Sequence, residues 1–133
     1  MPIAWNESMS TGVVEIDNQH KELFRQIDLL TDAMKRGQGR DVVGPMLDFL
    51  ASYARRHFAT EERCMNVMRC PAAEQNKQAH REFVAKFEDL LRRFQSSGTT
   101  SSMVLEINSF LIDWLVGHIN SIDTKLNQCA APV

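Results

Sequence analysis

Apolar residues recur along this chain at steps of three and four rather than two, and the recurrence falls into four blocks. In the first, Ile16, His20, Leu23, Phe24, Ile27, Leu30 and Met34 form one stripe of an amphipathic helix, with Asp17 placed to cap its start. The second carries Met46, Leu50, Tyr53, Ala54, His57, Glu61, Cys64, Met65 and Met68. Gly44 as cap and Pro45 at the first helical position set its expected start. The third, after Pro71, carries Asn76, His80, Phe83, Val84, Phe87, Leu90, Leu91 and Phe94. The fourth is entered through a region of serine and threonine caps and carries Ile107, Phe110, Leu111, Trp114, Leu115, His118, Ile119 and Ile122. The breaks between blocks are "RGQGR" at 36–40, "RCP" at 69–71 and "SSGTTSS" at 96–102.

Four long helices with short links cannot bury their stripes one at a time. The expected fold is therefore all-α, an antiparallel up-down-up-down four-helix bundle forming a single domain over residues 1–133. An N-terminal arm of about 15 residues precedes the first stripe. Its Trp5 is expected to lie against the bundle, because a large aromatic ring left in water forfeits its apolar surface.

Composition narrows the function classes. A formal net charge of -2 and the lack of a basic tract argue against nucleic acid and against an anionic membrane surface. No apolar run approaches the roughly 20 residues of a membrane span. The start "MPIAWNESMSTG" lacks the basic and apolar regions of a signal peptide, which predicts a cytoplasmic location. Cys64, Cys70 and Cys129 are odd in number and lack zinc-site or redox-motif spacing, so no disulfide framework is expected. Cys64 reads as a small core hydrophobe, and Cys70 and Cys129 as thiols near helix ends.

The chemistry lies in polar groups on apolar faces. All four histidines, His20, His57, His80 and His118, fall on the stripes, one per helix. A single buried imidazole is ordinarily satisfied by a neighbour, whereas four on four helices would each need a separate partner or else one shared ligand. Glu61 follows His57 by four residues and shares its helix face. A charged glutamate in a bundle core is costly unless paired or bound to metal. Asp123 follows His118 by five residues, about 140° further round a straight helix. For both to reach one site, the helix has to end or bend near Asn120 and Ser121. Capping of a short last helix is the competing role for Asp123.

Four imidazoles and two carboxylates suit a borderline transition metal such as iron, and they exceed what one ion with an open position needs. Two ions bridged by carboxylates use them all. The bundle proteins that hold metal pairs through Glu-x-x-His are a poor match, because the chain contains no such spacing.

Taken in order, Trp5, "GVVEIDNQHKELF" at 12–24, "HFATEERCM" at 57–65, "HREF" at 80–83 and "WLVGHINSID" at 114–123 resemble the bacterial hemerythrins over nearly the whole chain. The resemblance implies two non-heme iron ions, bridged by carboxylates and by an oxo or hydroxo group, that bind dioxygen. Carried over by resemblance, His20 and His57 would hold the iron that takes dioxygen. His80 and His118 would hold the other, and Glu61 and Asp123 would bridge. Leu23, Leu115 and Ile119 match apolar positions near the oxygen pocket.

The sequence departs from the family at one place. A His-x-x-x-His pair is usual on the third helix, and its first member falls on Asn76. Three outcomes are open: water or an exogenous anion fills the position, Asn76 coordinates weakly through its side-chain oxygen, or the second iron is poorly held. The first is favoured here, with Glu62 and Glu74 as less supported substitutes. The expected function is dioxygen binding, storage or delivery, with a second iron position open to autoxidation or to peroxidase-like turnover of peroxide. The alternative is a domain that senses oxygen, redox state or iron and acts through a protein partner.

Overall fold

Each stripe is the inner face of one long helix in the structure, a computed structural model describing residues 4–130. The helices are α1 (Val14–Lys35), α2 (Arg40–Val67), α3 (Ala73–Ser97) and α4 (Ser101–Ser121). A 3-10 turn, Glu7–Met9, precedes α1, and a second, Asp123–Lys125, followed by a short α5, Leu126–Ala130, comes after α4. α1 packs on α2 and α4, and α3 packs on the same two, which closes the antiparallel four-helix bundle. The first three and last three residues of the domain expected over 1–133 lie outside the described residues. Among the described residues no helix is long and apolar enough to cross a membrane.

Two helix starts differ from expectation. α2 begins at Arg40 with Gly39 as its cap, so Pro45 sits inside the helix rather than at its first position. The bond that proline cannot donate would go to the carbonyl of exposed Asp41, which water can serve. In return the extra turn places Val43, fully buried, on the core face one turn before buried Leu47. α1 begins at Val14, so Asp17 is not its cap. Its carboxylate instead accepts from the backbone N–H and hydroxyl of Thr11, each at 2.9 Å, and from Ser10 at 3.0 Å. An acid in the first turn thereby ties the arm to the bundle. Trp5 packs on the core as expected, and the Lys21 ammonium stands 4.4 Å from the centre of its ring. Thr100 caps α4 by accepting from the Met103 N–H at 3.2 Å.

The core divides at the histidine layer. Most of it lies on one side and includes Leu23, Phe24, Leu50, Phe58, Phe83, Leu111 and Leu115. A smaller cluster of Ile16, Met65, Cys70, Ala72, Ile122 and Leu126 seals the other end.

Here the cysteine expectation is overturned. Cys70 and Cys129 form a disulfide across 59 residues of sequence, with Cα atoms 5.5 Å apart. Neither local spacing nor a motif announces it, because the pairing exists only once the last helix folds back onto the turn after α2. The bridge also sits poorly with a reducing cytoplasm. Cys64 is a free, half-buried thiol packed against the smaller cluster.

Candidate metal centre

Why the six expected residues converge is a matter of helix register. His57 and Glu61 are one turn apart on α2, as are Asn76 and His80 on α3, so each pair projects from one face. His20 and His118 face them from α1 and α4. Asp123 reaches the same place because α4 ends at Ser121 and the chain turns tightly through Ile122 into the 3-10 turn. The bend required by the five-residue spacing is thus present. All six side chains are buried, as is Asn76.

Two sets of donors result. His20, His57, Glu61 and Asp123 form one, and Glu61, His80, His118 and Asp123 the other, each with its ligand atoms within 4.8 Å of one another. Both carboxylates belong to both sets, one oxygen to each side. Glu61 Oε2 lies 3.2 Å from His20 Nε2 and 2.8 Å from His57 Nε2, while Oε1 lies 3.1 Å from His80 Nε2. Asp123 Oδ2 lies 3.1 Å from His20 Nε2, and its Oδ1 lies 3.0 Å from His118 Nε2.

The directions of these contacts are as informative as their lengths. Both oxygens of Asp123 are buried and lack a hydrogen bond of acceptable geometry, although an imidazole nitrogen stands close to each. Groups that are near but not aimed at each other leave acceptors that only a third body can satisfy. A cation shared by imidazole and carboxylate is such a body, so the residues fit a pair of metal ions.

The electrostatics agree. Burial alone would raise the Glu61 carboxyl, but the imidazoles of His57, His118 and His20 override it and hold the group well below the ordinary carboxylate range. For His20 and His118 burial disfavours the cation, yet Asp123 and Glu61 together raise each from 6.5 to about 9. The pocket strongly favours positive charge.

Residues outside the six orient them. The Nδ1 side of His57 meets Gln19 Oε1 at 2.7 Å, and that of His80 meets Glu62 Oε2 at 2.8 Å. A proton placed on Nδ1 by these acceptors leaves Nε2 bare toward the centre. Phe58 stacks on His80 at 3.9 Å and Trp114 on His118 at 4.4 Å between ring centres, which fixes both ring planes. Gln19 and Phe58 were missed as site residues and Glu62 was expected only as a substitute ligand, since all three lie off the ligand positions and show their role only through a partner on another helix. The one signal was adjacency, each being the neighbour in sequence of a ligand. Glu62 thus supports His80 from outside and is no substitute ligand. Glu74 is 84% exposed and pairs with Lys77, so it is not one either.

Leu23 and Leu115 lie one turn from His20 and His118 and help line an apolar cavity of about 20 Å³ with Leu50, Phe58, Leu111 and Trp114. Ile119 is fully buried in the same core cluster without lining that cavity.

Asn76 occupies the seventh inward position. Its Nδ2 donates to Glu61 Oε1 at 3.1 Å, and its Oδ1 lies 2.8 Å from His118 Nε2. It therefore stands within the second donor set.

Residues 11–130 match the family described as "Hemerythrin HHE cation binding domain". The chain is 30% identical over 121 residues to the bacteriohemerythrin of Pseudomonas paraeruginosa, covering 91% of this chain and 76% of that protein. It is 27% identical over 125 residues to the myohemerythrin of Sipunculus nudus, covering 93% of this chain and 90% of that one. A crystal structure of wild-type hemerythrin superposes with a TM-score of 0.83 at 26% identity, covering 99% of this chain and 100% of that one. With the fold, the paired donor sets and the matching sequence in agreement, the chain belongs to the hemerythrin family, and its di-iron site carries Asn76 in place of one histidine.

Proposed function

We propose that the protein binds dioxygen at two non-heme irons, with His20 and His57 on one, His80 and His118 on the other, and Glu61 and Asp123 bridging. The observation that carries this reading is that both carboxylates are shared between two buried donor sets. A single ion in either set would leave the two histidines of the other set buried without an ion to bind. When bound, the iron pair supplies the electrons and the open coordination position that dioxygen requires.

The rest is done by the chain. Gln19 and Glu62 hold protons on the outer nitrogens of His57 and His80, so the inner nitrogens stay available to metal. Leu23 and Leu115 line the apolar cavity beside the donors and Ile119 packs in the core cluster around it, which keeps the dioxygen side dry and slows loss of the ligand as a charged species. At the second iron a neutral amide replaces an imidazole, so small anions and peroxide compete there more readily. An iron held there would be more open to autoxidation and, given an external electron donor, to weak peroxidase-like reduction of peroxide.

Dioxygen uptake by the anaerobically reduced, iron-loaded protein tests this reading. One dioxygen per chain, released on lowering the oxygen pressure, is expected; no uptake by protein that holds two irons contradicts it.

A further inference from the structure

We propose that Asn76 is itself a metal ligand, its side-chain oxygen completing the second donor set beside His80, His118, Glu61 and Asp123. The inference rests on the di-iron reading above and identifies the group that serves the position of the missing histidine.

The first support is spacing. Donors held about 2.1 Å from one ion in adjacent octahedral positions stand about 3.0 Å apart. His80 Nε2 and Glu61 Oε1 are separated by 3.1 Å, and His118 Nε2 and Asp123 Oδ1 by 3.0 Å. Asn76 Oδ1, 2.8 Å from His118 Nε2, belongs to the same set of separations. Although an amide is shorter than an imidazole, α3 brings it close enough.

Orientation is the second. The amide nitrogen donates to Glu61 Oε1, so the oxygen is turned toward the histidine donor. Reversing the amide would set its oxygen against a carboxylate oxygen and point its hydrogens at the cation site. Charge therefore selects the orientation in which a lone pair faces the ion.

The third is the fate of that oxygen when metal arrives. Nε2 of His118, 2.8 Å from Oδ1, is also that ring's atom in the donor set, and a nitrogen bound to an ion cannot serve Oδ1 at the same time. Asn76 is fully buried, so Oδ1 would become an acceptor with no donor. An ion held by His118 lies within reach of the same oxygen and satisfies it. Glu62 is occupied behind His80, and Glu74 faces solvent.

The experiment uses the full chain, loaded anaerobically with ferrous iron and then oxidised, as wild type, Asn76→Ala and Asn76→Asp. Iron per chain is measured first. Fewer than two irons in wild type overturns the di-iron reading and this proposal with it. With two irons present, azide is titrated by optical spectrum and iron release to a chelator is timed. A second azide is expected to bind wild type about tenfold more weakly than Asn76→Ala, and Asn76→Ala should release iron about tenfold faster. If Asn76→Ala does not fold, Asn76→Asp decides, because a charged oxygen at the same place should slow release relative to wild type. Two azides of equal affinity in wild type, or release rates unaffected by either substitution, would overturn the assignment while leaving the di-iron reading intact.

Discussion

Nε2 of His118 stands 3.0 Å from Oδ1 of Asp123, although a continuous helix would point the two side chains about 140° apart. The end of α4 at Ser121 closes that angle. Asp123 is therefore positioned by a chain turn rather than by a helix, and it is the only carboxylate of the pair held this way. Replacing it with alanine should leave the bundle folded and lower iron binding by about tenfold or more. Iron content beside a helical circular dichroism spectrum checks both halves; full iron loading in the variant would remove Asp123 from the centre.

The short helix beyond Asp123 should matter for the same reason. α5 spans only Leu126–Ala130, far below the roughly 12 residues at which a helix stands alone, so buried Leu126 and the Cys70–Cys129 bridge have to hold it. Removing a native cross-link typically costs about 2–4 kcal/mol. Cys129→Ser, or a reductant, should lower the melting temperature by several degrees and speed iron release. A melting temperature indifferent to reductant would show that the bridge contributes nothing.

Glu62 touches the donor sets through His80 alone. Glu62→Ala is expected to weaken iron binding by about 10- to 100-fold with little change in thermal stability, because the ring loses its orienting acceptor while the core is untouched. Glu62→Gln, which keeps an oxygen acceptor, should recover part of the loss. Equal iron affinity in all three proteins would assign Glu62 to the surface only.

In the metal-free protein, His20 and His118 titrate near 9 instead of 6.5. A raised value means that the bound proton stabilises the fold. That contribution is complete below about 6.5 and is lost as pH rises through about 9. Metal-free protein should melt at progressively lower temperature across this window, while ferrous affinity rises because each ion has fewer protons to displace. Thermal melts and metal titrations at matched pH measure the two trends, and their moving in the same direction would contradict the account.

The helices and the histidines were legible because both obey a local rule: a period of 3.6 marks the buried face, and an imidazole on that face is conspicuous. Contacts set by the packing of distant elements were not. The Cys70–Cys129 pair, Gln19 behind His57 and Phe58 upon His80 join residues whose sequence neighbours carry no trace of the partner. Pro45 misled in a different way. It fits a first-turn position by its own chemistry, but burial of Val43 outweighs the lost hydrogen bond and starts the helix a turn earlier. Asn76 was visible as a departure from a pattern, whereas the direction of its oxygen needed His118 and Glu61 in place around it.

The most direct test of the whole account is iron counted per chain together with the optical spectrum before and after air is admitted to the ferrous protein. Two irons, and a charge-transfer band that develops on exposure to dioxygen, are predicted from the two donor sets that share Glu61 and Asp123. One iron or none after anaerobic loading, or two irons with no spectral response to dioxygen, would contradict it.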